Sequence, residues 1–309
     1  MTSYLFAWLL FLGLALGAMA NIMLHNVTGG PWFQAVRAPL LAGARLVPLA
    51  ALLGIPVLAG MRAIYPWAGS GGNWWLSPAF FVARSIVYLL AWSALALLVR
   101  RNAGKGLSAL GLIVYTFTVS LAAVDWIGSL VPQWYSTAFG LVVGVGQMLG
   151  AMALAVAFAG LSGRAREGAE AGQTFIDLGN LLLMYVLLWA YLAYSEFLII
   201  WVGNLPREIS WYVPRLQTGW FGLGVLLVVV HFFAPLAILL FRAAKRSPLL
   251  LGSLAAVLLA AHVADVYWLV APSVRPQAFS IAWTDVLCFV IAALLWAFAW
   301  RPRMGDLHG

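Results

Sequence analysis

Charged side chains are scarce in this chain of 309 residues, where they make up 8% of the positions. A soluble domain carries roughly 25% charged residues, so the composition excludes an ordinary soluble globular protein. Cysteine is scarcer still, since Cys288 stands alone inside an apolar run. Disulfides, cysteine-ligated metals and iron–sulfur clusters are therefore excluded for this chain, and we expect no metal site. Glycine-rich phosphate-binding, nucleophile-elbow and HExxH motifs are also lacking, so the sequence assigns no catalytic residue.

Hydrophobic residues, in contrast, fill 64% of the chain and cluster in long runs. Crossing a bilayer as a helix takes about 20 apolar residues. Nine runs reach that length: Tyr4–Leu24, Ala38–Met61, Ala79–Val99, Leu107–Val131, Thr137–Leu161, Phe175–Val202, Trp220–Phe241, Leu249–Val270 and Ser280–Trp300. We therefore predict an all-α polytopic membrane protein with about nine transmembrane helices, in which residues 1–309 form a single transmembrane domain.

The basic residues are distributed unevenly between the predicted loops. Alternate loops form two sets, of which one holds 11 Lys and Arg residues and the other holds 4. The richer set comprises residues 25–37, 100–106, 162–174, 242–248 and the C-terminal tail. Because Lys and Arg concentrate in cytoplasmic loops, we predict an outside N-terminus and a cytoplasmic C-terminus. The net charge of +8 then reflects membrane orientation, and we expect no nucleic-acid partner.

Ionisable residues inside the predicted spans are the strongest functional signal, because charge within a bilayer is costly. Four acids and one arginine lie five or six residues from the outer ends of their spans: Asp125, Glu196, Asp265, Asp285 and Arg84. Helix rise places this layer roughly 8–9 Å below the outer boundary. One cation cannot neutralise four carboxylates, so we expect some of the acids to be protonated or hydrated. Further candidates within the spans are His231, His262, Asp177 and Arg45.

Two interpretations of these charges stay open. The first is a partial proton path or a polar pocket for a small redox carrier, since Asp, Glu and His chains in membrane spans often relay protons. The second is a set of structural hydrogen-bonded pairs between helices. A haem shared by His231 and His262 is not expected, because helix rise places them at about 21 Å and about 12–14 Å from the outer boundary. A quinone pocket would draw on Glu196, Trp201 and Tyr185.

Tryptophan concentrates at the outer boundary of the predicted spans. The residues there are Trp67, Trp74, Trp75, Trp126, Trp134, Trp201, Trp211, Trp220, Trp268 and Trp283. An aromatic belt alone would place tryptophan at both membrane interfaces. We therefore hypothesise that the outer face docks an extrinsic partner, with a heavy aromatic belt as the alternative.

Small residues recur at helical spacing in two of the spans. They are Gly13, Gly17 and Asn21 in the first span and Gly140, Gly144, Gly146 and Gly150 in the fifth. Such spacing lets helices approach closely in lipid, and packing is the role we expect for these residues.

Several motifs give the chain a family resemblance. They are LHNVTGGPW after the first span, YPWA after the second, DWIGSLVPQWYSTAFG between the fourth and fifth, EFLIIWVGNLPREISWYVPR after the sixth and HVADVYWLVAP in the eighth. Through these stretches the chain resembles the F subunit of alternative complex III, a bacterial quinol:cytochrome c oxidoreductase, which is similar to the NrfD-like membrane subunits. That family usually has ten spans, so the resemblance implies that this chain starts at the second.

The resemblance implies two four-helix bundles, here with a peripheral helix, in the bacterial inner (cytoplasmic) membrane. It implies no cofactor bound by this chain. Quinol, haem c and iron–sulfur clusters would belong to partner subunits, namely a homologous NrfD-like membrane subunit, an iron–sulfur subunit and multihaem cytochrome c subunits. Membrane lipids and a terminal oxidase complete the expected partners. Proton-carrying residues of the family would correspond to His231, His262, Asp265, Asp285, Asp125 and Glu196.

We therefore expect a non-catalytic subunit of a quinol-oxidising respiratory electron-transfer complex, without a redox centre of its own. Its role would be structural, with proton conduction as a further hypothesis resting on the layer of charges. The alternatives are a stand-alone secondary transporter and a subunit that itself binds quinone.

Overall fold

The computed structural model describes residues 1–69, 74–99, 103–162 and 169–300. Within these ranges the chain forms helices and no strand, and eight helices are long and apolar enough to cross a membrane. They cover Thr2–Thr28, Phe33–Ala59, Pro78–Val99, Lys105–Leu130, Phe139–Leu161, Gly172–Gly203, Trp220–Leu239 and Pro248–Val274. The ninth predicted span forms a shorter apolar helix of 17 residues, Trp283–Ala299. The prediction of an all-α polytopic membrane protein with about nine transmembrane helices is confirmed.

The helices are numbered in chain order. Their bounds are α1 Thr2–Thr28, α2 Phe33–Ala44, α3 Val47–Leu52, α4 Ile55–Ala59, α5 Met61–Ile64, α6 Pro78–Val99, α7 Lys105–Trp126, α8 Phe139–Leu161, α9 Ala169–Gly203, α10 Pro206–Ile209, α11 Val213–Gln217, α12 Trp220–Leu227, α13 Ala234–Leu239, α14 Arg242–Arg246, α15 Pro248–Val274 and α16 Trp283–Ala299. A π turn, Val228–Phe233, joins α12 to α13.

Membrane orientation stays a prediction. Several basic residues behind it lie at positions 100–102, 163–168 and 301–309, outside the described residues. We call the side of the membrane that holds the loop between α9 and α12 the outer side.

The second predicted span is a series of short helices over Phe33–Ile64 rather than one continuous helix. Proline has no backbone N–H and its ring clashes with the preceding turn, so it is tolerated best in the first turn of a helix. Pro48 and Pro56 occupy that position in α3 and α4. Each break frees backbone carbonyls, and the Trp8 indole donates a 2.8 Å hydrogen bond to one of them, at Ala50. The predicted span Ala38–Met61 is therefore present as Phe33–Ala59, and it is built from several short helices.

The most buried helix is α1, whose apolar window is 89% buried. It packs against α2, α7, α8 and α16. Close approach to α8 depends on Gly17, because a Cβ atom there would overlap the backbone carbonyl of Gln147. The predicted packing role of the small residues in α1 is thereby confirmed.

The remaining helices divide into two groups around α1 and α8. Helices α2, α3, α6 and α7 pack on α1, and α2 and α7 also contact α8. Helices α9 and α15 pack on α8, while α12 packs on α15 and α13 on α9. Helix α16 lies outside both groups, against α1. This arrangement agrees with the expected two four-helix bundles plus a peripheral helix, and it brings α8, α9, α15 and the π turn around one buried volume.

Candidate functional site

Two histidines meet in the core of the second bundle. His231 lies on the π turn and His262 lies on α15, with their ring centroids 6.4 Å apart. Trp189 of α9 packs against His231, at 4.3 Å between ring centroids. The two imidazoles are 0% and 2% exposed. A π turn inserts a residue into the helix and is frequent at functional sites, so the backbone itself adapts where His231 enters the core.

Asp265 joins the two histidines from the next turn of α15. The residue lies three positions after His262, on the same helix face, and is buried. The Trp189 indole faces the Asp265 carboxylate but stays outside hydrogen-bonding geometry. We call His231, His262, Asp265 and Trp189 the histidine cluster.

Helix α8 closes the cluster with glycines. A Cβ atom on Gly146 would lie 3.6 Å from the His262 ring and 3.8 Å from an Asp265 oxygen. At Gly150 it would overlap the His262 ring, with the Nε2 atom at 2.7 Å. The sequence predicted only a packing role for these two glycines. The structure adds that they make room for an imidazole.

The imidazoles of the cluster have no hydrogen-bond partner among the described residues. Nδ1 and Nε2 are buried and unpartnered in both His231 and His262, as is Nε1 of Trp189. Leaving a buried polar group without a partner costs about 1–3 kcal/mol. No ion pair within the described residues involves Asp265. The cluster is therefore unsatisfied as a structural network, yet well suited to receive a proton or a water molecule.

The expected difference in depth between the two histidines is wrong. Helix α15 continues to Val274, four residues past its predicted end, so His262 lies about 18 Å from the outer end of its helix. His231 lies eleven residues after Trp220, about 16 Å from the outer end of its span rather than about 21 Å. The two histidines are therefore level, and the argument against a shared haem that rested on depth fails. A macrocycle between the imidazoles would still have to displace Trp189 and the Gly150 backbone, which pack directly against them.

Asp125 is a fully satisfied structural anchor. It accepts hydrogen bonds from Arg84 Nε at 2.9 Å and Nη2 at 2.8 Å. Tyr88 and Trp75 donate two more, at 3.1 Å and 3.2 Å. The guanidinium also stacks over the Trp75 ring, 4.0 Å from its centroid. Asp125 lies one residue before the end of α7 and five residues before the end of the span at Leu130, close to the depth that the sequence predicted.

Asp285 is likewise held by local partners. It accepts from Arg275 at 2.7 Å, from the Tyr267 hydroxyl at 2.8 Å and from the backbone N–H of Ala282 at 2.9 Å. It occupies the first turn of α16, where a carboxylate caps the free N–H groups of a helix. The expected position five residues inside the span is therefore corrected to the helix end.

Glu196 lies beneath the loop between α9 and α12. It is 5% exposed and lies beside the Ser136 side chain, and its Oε1 atom has no hydrogen-bond partner among the described residues. Arg215 of α11 interacts with it electrostatically and is fully buried. Burial lowers the pKa of the Arg215 guanidinium, because desolvation disfavours the charged form. The sequence did not single out Arg215, because it lies in a segment expected to be a loop.

These geometries correct the prediction of one arginine facing four acids. Two loop arginines also reach the layer, so that Arg84 pairs with Asp125, Arg275 pairs with Asp285 and Arg215 lies near Glu196. Asp265 is the acid left without a cation among the described residues. The four acids are not gathered into one group, and the histidine cluster replaces the layer as the candidate site.

The remaining candidates stay outside the cluster. Asp177 accepts a hydrogen bond from Gln173 one turn earlier on α9, at 3.0 Å. Arg45 is half-buried at the break between α2 and α3. The three residues of the quinone hypothesis do not meet, because Trp201 is exposed, and Tyr185 and Glu196 are about 16 Å apart along α9.

A second polar network, missed in the sequence, crosses the centre of the bundle. The Tyr185 hydroxyl donates to Asn21 Oδ1 at 2.6 Å, and Asn21 Nδ2 donates to the Met148 carbonyl at 2.9 Å. Tyr115 donates to Gln147 Oε1 at 3.0 Å. These bonds fix α1 against α8 and α9, and α7 against α8. Asn21 and Tyr185 stood out in the sequence only as a packing residue and a quinone-pocket candidate, because neutral residues inside apolar runs give no signal for their hydrogen-bond partners.

Half of the ten outer tryptophans are buried. Those less than 5% exposed are Trp67, Trp126, Trp134, Trp211 and Trp220. Trp134 stacks on Trp211 at 4.3 Å between ring centroids, with 17° between the ring planes. Trp74 and Trp283 are 74% and 75% exposed. A docking surface would therefore use only a minority of these residues, and the docking of a partner stays a prediction.

No protein-family model matches the chain, and no curated protein matches it either. The family resemblance therefore rests on the sequence motifs alone, and the candidate site stands on its own geometry.

Proposed function

We propose that the chain is an integral membrane subunit of a quinol-oxidising respiratory complex, and that it transfers protons through the histidine cluster. One observation carries the proton-transfer role. Among the described residues, the four imidazole nitrogens of His231 and His262 have no hydrogen-bond partner and the neighbouring Asp265 carboxyl has no cation, and all three side chains are buried in an apolar bundle. Histidine and carboxyl groups in membrane spans often relay protons. The assignment to a complex of the alternative complex III type is supported by the sequence motifs.

In this proposal the subunit holds no redox centre of its own. Electrons would pass through haem c and iron–sulfur clusters of partner subunits in the bacterial cytoplasmic membrane. A homologous membrane subunit would oxidise quinol, and the present chain would give the released protons a route within the bilayer.

The chemistry of the cluster follows from its groups. A neutral imidazole holds a proton on one nitrogen and accepts one on the other, so it passes protons without a net change of charge. The ring centroids of His231 and His262 are 6.4 Å apart, and Asp265 supplies a carboxyl on the next turn. In this proposal a water molecule between the two imidazoles connects their buried nitrogens.

The test is an Asp265→Asn variant of the intact complex in proteoliposomes. We expect fewer protons translocated per electron, with electron transfer from quinol to the acceptor retained. Asp285→Asn is the matched control, because Asp285 is also a buried acid but is paired with Arg275. A pH-sensitive dye reports translocation, and co-purification of the haem-containing subunits reports assembly. Equal proton stoichiometry in the parent protein and in the Asp265 variant would refute proton transfer through the cluster.

A stand-alone secondary transporter is the second candidate. Broken helices in two spans favour it, namely the short helices over Phe33–Ile64 and the π turn at Val228–Phe233, because transporters build sites from discontinuous helices. Purification under native conditions separates the two candidates. A chain recovered without haem-containing subunits would favour the transporter.

A further inference from the structure

The unpartnered polar atoms continue from the histidine cluster toward the outer loop. Glu196 lies seven residues after Trp189 on α9, about 10 Å further along the helix. Trp268 lies three residues after Asp265 on α15. In this region four buried atoms have no hydrogen-bond partner among the described residues: Glu196 Oε1, Arg215 Nε and the indole nitrogens of Trp134 and Trp268. Trp134 and Trp268 belong to one small apolar core between α9, α15 and the loops on the outer side. Arg215 lies over two rings of this core, Trp211 and Trp268, and its charge interacts with that of Glu196.

Arg215 is held in place by groups other than Glu196. Nη1 donates to the Trp211 carbonyl at 2.6 Å, and Nη2 donates to the Leu269 carbonyl at 2.9 Å and to Ser273 Oγ at 3.0 Å. The guanidinium lies over the Trp211 ring, 3.5 Å from its centroid. These contacts occupy two of its nitrogens and leave Nε–H available.

The charges of Glu196 and Arg215 influence each other but make no direct ion pair in the described structure. Each retains one buried atom without a partner, at 5% and 0% residue exposure. One carboxylate oxygen and three N–H donors are therefore available around the same core. Buried waters occupy sites of this kind, where they typically make about three hydrogen bonds to otherwise unsatisfied polar groups.

We propose that Glu196 and Arg215, with the Trp134 and Trp268 indoles, bind ordered water, and that this water is the outlet of the histidine cluster toward the outer surface. The outlet role rests on the proposed function. The water site does not, and it is testable in the absence of any turnover.

Radiolytic hydroxyl-radical labelling tests the water site, because radicals form at bound waters and oxidise the side chains beside them. The full chain in lipid nanodiscs would be irradiated, and tryptophan oxidation would be read by mass spectrometry. Trp134 is the probe. Trp92 and Trp220 are the controls, since both are buried and their indoles donate to Thr118 Oγ1 and to the Arg275 carbonyl.

We expect Trp134 to oxidise several-fold faster than Trp92 and Trp220, although all three are shielded from bulk solvent. In a Glu196→Leu variant, the loss of the acceptor should lower the Trp134 rate toward that of Trp92, whereas Glu196→Gln should retain most of it. If Glu196→Leu fails to fold, Glu196→Met serves the same purpose. Equal oxidation of Trp134 and Trp92 in the parent protein would overturn the water site.

The outlet role is tested separately, by measuring proton translocation in the Glu196 variants. Proton translocation by the intact complex should fall in the Glu196→Leu variant and fall less in Glu196→Gln. Rapid Trp134 labelling with unchanged translocation in Glu196→Leu would refute the outlet while leaving the water site. An Asp265→Asn variant without effect would instead refute the proposed function, so the two failures are distinguishable.

Discussion

Replacing Asp125 by asparagine should destabilise the fold more than replacing any other acid of the predicted layer. The carboxylate accepts four hydrogen bonds, two of them from the Arg84 guanidinium. Asparagine keeps the shape but turns an NH2 group toward donors and leaves the guanidinium buried without a counter-charge. Breaking one side of a buried ion pair costs about 3–5 kcal/mol.

Asparagine at the other two aspartates should cost less free energy of unfolding than asparagine at Asp125. Arg275, the partner of Asp285, has a side chain 26% exposed, so solvent screens the pair and Asp285→Asn should cost only about 1–2 kcal/mol. Asp265→Asn removes no ion pair within the described residues and should change the free energy of unfolding by less than about 1 kcal/mol. Stability should therefore fall most for Asp125, less for Asp285 and least for Asp265.

Thermal unfolding in detergent, followed by intrinsic tryptophan fluorescence, measures this order. For the Asp125 variant we expect the melting temperature to drop by on the order of 10 °C. The double variant R84M/D125N should recover part of the loss, because no cation then stays buried alone. Equal melting temperatures for the Asp125 and Asp265 variants would refute the assignment of Asp125 as a structural anchor.

Two further substitutions test the neighbouring contacts. Asn21→Val removes the partner of the Tyr185 hydroxyl at the centre of the bundle and should cost about 1–3 kcal/mol, measured by the same thermal assay. Gly150→Ala introduces a Cβ atom that overlaps the His262 ring, so it should lower proton translocation as Asp265→Asn does, whereas Gly144→Ala, where the added Cβ has its nearest neighbour at 3.7 Å, should not.

The membrane fold was predictable because its signal is long and cumulative. Each span of about 20 apolar residues stands out from any soluble segment, and the nine predicted runs correspond to the nine apolar helices. The helix breaks in the second span were harder to predict, although Pro48 and Pro56 lie at them. The helix breaks there are stabilised by hydrogen-bond donors from another helix, such as the Trp8 indole. The sequence of a single span contains no information about such donors.

The candidate site was predictable as a set of residues but not as an arrangement. His231, His262 and Asp265 stood out because polar groups are rare in apolar runs. Their proximity depends on the π turn and on the length of α15, and neither feature has a reliable sequence signal. Arg215 and Arg275 were missed because only charges inside the predicted spans were considered, and their side chains enter the core from the loops.

The distribution of satisfied and unsatisfied groups argues that the histidine cluster is a functional site rather than a remnant of packing. Asp125 and Asp285 show that this bundle can pair a buried acid completely. At His262 it does the opposite, since α8 presents glycine at the position where any side chain would collide with the imidazole. A bundle needing only packing would gain stability from an apolar side chain there, because an unpartnered buried imidazole opposes folding. Keeping His262 buried at this position therefore costs folding free energy. A role in proton transfer would explain that cost, whereas a purely structural role would not.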